Sequence, residues 1–197
     1  MKPLLIAAFA LSAAPAWALP VTYLFTGTAE VTVGAAAFPG GFEIVATGDT
    51  DGISPAGGDF MFVSNLVTAT LSVGDGALLT AFDEPIWVAR TGEVLGLIAD
   101  PIGDAANTAL ATVGPAFGGY DLDTDAGPVT TALSFTSLAD GFSTAAGVAA
   151  FGGTGAVLTI EARVKEAVVP LPPGALLLPA ALMAFAAARR RGGSGRG

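Results

Sequence analysis

The sequence predicts an all-β body, a β-sandwich or jelly roll, preceded by an N-terminal signal peptide and followed by a C-terminal transmembrane helix. Three observations carry this. Short runs rich in Val, Thr, Phe and Ile alternate apolar and polar residues with a period of two through the middle of the chain. Glycine-rich turn clusters separate those runs, as they do in sandwiches and barrels. The continuous apolar stretches lie at the two ends, although the whole chain is 52% hydrophobic and only 13% charged.

Taken in chain order, Met1-Lys2 supplies a charged start, Leu4 to Leu11 an apolar stretch, and Ala16-Trp17-Ala18 a small-x-small step. These are the three parts of a secretory signal, so residues 1–18 are expected to be removed by signal peptidase after Ala18, following export through the Sec machinery. The body is then 19–166. Its first strand runs from Val21 to Val33, with Val21, Tyr23 and Phe25 on one face and Thr22, Thr26 and Thr28 on the other. Further strands are expected at Phe42 to Gly48, Phe60 to Val63, Leu66 to Val73, Ala77 to Phe82, Ile86 to Thr91, Val94 to Ile98, Val129 to Ser137 and Val157 to Val164. Turns are expected at Pro39 to Gly41, Asp49 to Gly52, Ser54 to Gly58, Gly74 to Gly76 and Gly152 to Gly155. Ala105 to Val113 and Ala145 to Ala150 are read as loops.

Charge and composition then exclude whole classes of function. All 17 acidic residues lie between Glu30 and Glu166, where only Arg90, Arg163 and Lys165 oppose them, a net charge of −14. Such a body is repelled by phosphate backbones, so no nucleic-acid partner is expected. Cysteine and histidine are both absent. There is therefore no disulfide framework, no thiol nucleophile, no Ser-His machinery and no imidazole zinc site.

The last segment, 167–197, combines Val169-Pro170-Leu171-Pro172-Pro173, an apolar helix predicted over 174–188, and Arg189-Arg190-Arg191 directly after it. Counted from Leu171 to Ala188, the span reaches roughly 27 Å at about 1.5 Å per residue, just enough for a bilayer core. Arginines after the span stay on the cytoplasmic side, which agrees with export of everything before it. The prolines hold the stretch outside the membrane extended and open to a protease. This tail resembles the PEP-CTERM class of sorting signals, specifically the VPLPA-CTERM variant, with Pro173 standing where that variant has alanine. The resemblance covers only the tail. It implies export in a Gram-negative bacterium, an inner-membrane intermediate, recognition by a membrane-embedded exosortase, cleavage near the proline signature, and a final place at the cell surface or in the extracellular matrix.

No catalytic constellation stands out, so the expectation is a non-enzymatic surface or matrix protein without a cofactor. Asp121, Asp123 and Asp125 alternate as oxygen ligands for calcium would. The spacing departs from a calcium loop, with glycine one position late and no closing glutamate, and solvated loop acids are the plainer reading. Asp49-Thr50-Asp51-Gly52 poses the same question. Asp83-Glu84-Pro85 beside Trp87 could contact a sugar, while a tryptophan in an Ile-Trp-Val strand belongs more naturally to the core. Two rivals follow: a module binding calcium or an extracellular polysaccharide, and an exported hydrolase using Asp83, Glu84, Asp121 or Asp123. A third is a plain anchored protein whose tail is never cut.

Overall fold

The computed structural model describes residues 18–63, 66, 68–99, 109–136 and 141–165. The chain divides into two compact units, Met1–Glu166 and Ala167–Gly197, and every described residue belongs to the first. Ala16, the Val169 to Pro173 signature, the 174–188 helix and Arg189 to Arg191 lie outside the described residues. No helix among the described residues is long and apolar enough to cross a membrane.

The strands are β1 (Pro20–Val33), β2 (Ala36–Asp49), β3 (Ile53–Gly57), β4 (Phe60–Val63), β5 (Thr68–Val73), β6 (Leu78–Ala81) and β7 (Ile86–Thr91). They continue with β8 (Val94–Ala99), β9 (Ala109–Val113), β10 (Ala126–Ala132), β11 (Ser134–Thr136), β12 (Phe142–Thr144) and β13 (Gly147–Val164). Two antiparallel sheets result: β10-β13-β1-β2-β5-β6, with β12 also on β13, and β11-β9-β8-β7-β4-β3. The first strand sits beside the last, from Val21↔Val164 onward. Beyond β6, Phe82 bridges Thr144, and Ala145 N–H donates to the Ala81 carbonyl at 2.9 Å. The pairing path of the first sheet thus returns through β12 to β13 and satisfies part of an otherwise open edge.

Period-two alternation decides which side chains meet. Tyr23, Phe25, Ile44, Leu71, Leu158 and Ile160 from the first sheet bury against Val88, Leu95, Leu97 and Leu110 from the second, in one continuous core. One end of that core is aromatic: Phe42 meets Phe151 edge-on at 5.0 Å between ring centroids, and Phe142 meets Phe82 at 5.6 Å. The outward face of the first sheet keeps threonines, which pair across strands as Thr47–Thr68 and Thr130–Thr159, each at 2.6 Å.

The all-β expectation holds, and several element boundaries move. Pro39 to Gly41 is not a turn but part of β2, because an unbroken register from Pro20↔Asp49 to Val33↔Ala36 carries it. The reversal sits at Gly34-Ala35 instead, with Gly34 at φ +57°. Ser54 to Gly57 belongs to β3, whose Pro55 and local register shift suit a sheet edge. Gly152 to Gly155 is an arch within β13: Thr28 pairs with Val157 and Glu30 with Gly152, and the surplus residues bulge outward with Gly153 and Gly155 at positive φ. Ala109–Val113, expected as loop, is β9, and the Ala145 to Ala150 stretch enters β13 at Gly147. The strand expected over Val129 to Ser137 breaks at Leu133, where the chain passes from one sheet to the other. Trp87 is not in the core. With Ile86 and Val88 inward, it faces out, half-buried, and stacks on Phe62 at 4.5 Å and 24°.

Candidate functional site

The region where the body begins and ends carries the densest polar chemistry. Leu19 N–H donates to Thr50 Oγ1 at 2.9 Å, and Thr50 N–H donates to the Leu19 carbonyl at the same distance. Lys165 N–H donates to the Pro20 carbonyl at 2.9 Å. Entry and exit of the chain are therefore hydrogen-bonded neighbours.

A loop crossing from β9 to β10 covers the same region. It starts with the 3-10 turn Pro115–Phe117 and is fixed by three buried side chains, Phe117, Tyr120 and Leu122. Burying Leu122 inverts its backbone to φ +65° and turns its carbonyl inward. There Tyr23, fully buried, donates its hydroxyl to that carbonyl at 2.7 Å. Tyr120 donates to the Thr124 carbonyl at 2.8 Å, a phenol closing its own loop four residues on. Burial, then Tyr120, then the charge of Asp123 push the Tyr23 phenol far above its ordinary range. Burial, Asp123 and Asp125 do the same to Tyr120. Both phenols are thus neutral donors.

Because apolar residues anchor the loop from inside, its aspartates point out. Asp121 and Asp123 line a surface depression of about 420 Å³ with Leu19, Thr50, Ile53 and Met61. The two acidic stretches of the sequence meet here, since Asp49 and Asp51 flank Thr50 in the 3-10 turn Thr50–Gly52. Asp125 is used differently. Its Oδ1 accepts the Val164 N–H at 2.7 Å, and its Oδ2 lies 4.0 Å from Arg163, which also pairs with Glu161. Asp121, Asp123 and Asp125 therefore do not act as one ligand set, and among the described residues no three acidic side chains gather around a point.

The other acids named above lie elsewhere. Glu84 Oε1 accepts the Ser143 N–H at 2.5 Å and lines a cleft of about 350 Å³ with Phe82, Trp87, Thr68 and Thr70. Asp83 N–H donates to the Ser143 carbonyl at 3.2 Å, which joins the β6–β7 connection to β12. The Glu84 cleft and the Asp121–Asp123 depression have no lining residue in common. The roles of three residues were not legible in the sequence. Tyr23 and Tyr120 are the only tyrosines of the chain, and that scarcity was the available signal. Arg90 is 6% exposed beside Met61, its Nε without a partner and its Nη1 donating to Gly92 O at 3.4 Å. Alternation from Ile86 and Val88 puts position 90 on the inward face, and that register was the available signal for Arg90.

Compared with protein-family models, curated proteins and solved structures, the chain matches none.

Proposed function

We propose that this chain is an exported, non-enzymatic cell-surface or extracellular-matrix protein, trimmed by signal peptidase after Ala18 and by an exosortase-type protease within Val169 to Pro173. One observation carries the reading on the side of the body. β13 ends at Val164, paired with Val21, and Lys165 closes the ladder on Pro20, so all the strands and core residues among the described residues lie between the two proposed cuts. The sequence supplies the rest: a small-x-small step before Leu19, and a proline signature, apolar span and arginine cluster after Lys165. Intact mass of the protein from membrane and secreted fractions of its host tests this. A species from Leu19 to a residue between Val169 and Pro173 is expected. Retention of Arg189 to Gly197 in the membrane-bound protein would make the tail a permanent anchor and overturn the processing.

A second reading, a polysaccharide-binding module, is favoured by the cleft that places the outward Trp87 beside Glu84, Thr68 and Thr70. Its test is retention on immobilised neutral glycans, with Trp87→Ala as control. Equal elution of both proteins rejects it.

A further inference from the structure

We propose that the α-ammonium created at Leu19 by signal-peptide cleavage docks in the Asp121–Asp123 depression, so that processing places a positive charge beside these two carboxylates. The inference rests on cleavage after Ala18, as proposed above, and concerns what the new terminus then does.

The geometry is already set before any cut. Leu19 is half-buried, its nitrogen is 2.9 Å from Thr50 Oγ1, and its carbonyl is held by Thr50 N–H. Leu19 shares the walls of the depression with Ile53 and Met61, which are apolar, and with Asp121 and Asp123, which are anionic. Ala18, by contrast, is exposed. In the uncut chain Leu19 N is an amide with one proton, already given to Thr50. Cleavage converts it to an ammonium with three protons and a positive charge at an unchanged place. One proton keeps Thr50, and two are free for acceptors on the rim.

The charges around this point favour a cation. Asp49 and Asp51 flank Thr50 on one side, and Asp121 and Asp123 come from the covering loop. At the end of β13, Asp125 is taken by Val164 N–H and Arg163, Glu161 also pairs with Arg163, and Lys165 is exposed. Among the described residues at this end, Arg163 is already turned to Asp125 and Glu161 and not to Asp121 or Asp123. An ammonium among carboxylates has its pKa raised above the ordinary 7.7–8.0 of a chain terminus. The raised value belongs to the folded state. The stabilisation is therefore complete below about pH 7.7 and is lost as pH climbs through the folded value.

The test uses the protein purified from its host, in parent form and as Lys165→Arg. Lysines occur only at 2 and 165, so in this variant the α-amine is the sole amine of a processed chain. Intact mass first fixes the terminus: a start at any residue other than Leu19 overturns both the cleavage reading and this inference. With a Leu19 start, acetylation of the α-amine at neutral pH is expected to run about tenfold slower than in an unstructured Leu-Pro-Val-Thr peptide, the factor for one unit of pKa. The acetylated protein should melt about 3 °C lower at pH 6, with the gap closing as pH climbs above the ordinary range of a chain terminus. Asp121→Asn with Asp123→Asn should abolish both the slow acetylation and the gap. A Leu19 amine that acetylates at the peptide's rate, in a protein whose melting ignores acetylation, would overturn the docking while leaving the cleavage reading intact.

Discussion

Tyr23→Phe removes one oxygen and tests how the acidic loop is held. The hydroxyl is fully buried and gives its hydrogen bond at 2.7 Å to a carbonyl 99 residues away, so nothing local can replace it. Loss of a buried hydrogen bond costs about 1 kcal/mol net, and leaving the Leu122 carbonyl without a donor adds about 1 kcal/mol or more. The expected total is about 2 kcal/mol, which lowers a urea midpoint by about 1 M for a body of this size. The same substitution changes the response to alkali. In the parent the Tyr23 pKa is raised by folding, so its contribution is complete below about pH 10 and lost as pH rises beyond that value. Tyr23→Phe removes this linkage, and its stability should fall less steeply above pH 10, with Tyr120 supplying the remaining slope. Urea melts monitored by tryptophan fluorescence, together with phenolate absorbance during alkaline titration, measure both effects. A variant with parental urea stability and a parental alkaline slope would refute the tether.

Two further predictions concern the second sheet. Gly96→Val places a side chain against the Leu110 carbonyl and within 2.7 Å of Ala111 Cβ, so β8 and β9 must separate; a loss of about 3 kcal/mol is expected in the same melts. Arg90→Met replaces a buried guanidinium whose Nε has no partner by an apolar chain of similar length, and should raise the melting temperature by about 2–4 °C, whereas a lower melting temperature would show that Arg90 is satisfied by contacts other than its Gly92 bond.

Alternation was legible wherever a strand has one wet and one dry face. Val21 to Val33 and Ile86 to Thr91 are read from sequence to within a residue because alternate apolar side chains, Val21, Tyr23 and Phe25 in the first and Ile86 and Val88 in the second, face the core. Sequence reasoning failed where a distant partner outweighs local preference. Pro39-Gly40-Gly41 has turn chemistry, yet β1 supplies a pairing partner for each of those residues. Ala109–Val113 looks helical or loop-like because it is small and short, and it is small because β8 approaches closely at Gly96. The site was legible in part. Alternate aspartates mark an exposed loop, but their division between a depression and the end of β13 depends on Tyr23 and Leu122, which are a hundred residues apart in sequence.

The position of β13 bears on the export proposed above. It is an 18-residue strand and the last of the body to be made, and it lies inside the first sheet with β1 on one side and β10 and β12 on the other. Leu158, Ile160 and Ala162 bury into the core from this strand. Until β13 has been made, β1 lacks one neighbour and β10 and β12 lack the strand that places them in the sheet. Non-local pairing of this kind folds slowly, which is compatible with the export proposed above, in which the chain crosses as an extended polymer and folds afterwards. A protein ending at Glu166 should therefore give the same cooperative urea melt as the full chain. One ending at Ala146, which keeps the sequence of 12 of the 13 strands found among the described residues, should show no cooperative transition and no slowly exchanging amides. A cooperative melt from the shorter protein would mean that the core closes without β13, and the link between strand order and export would fail.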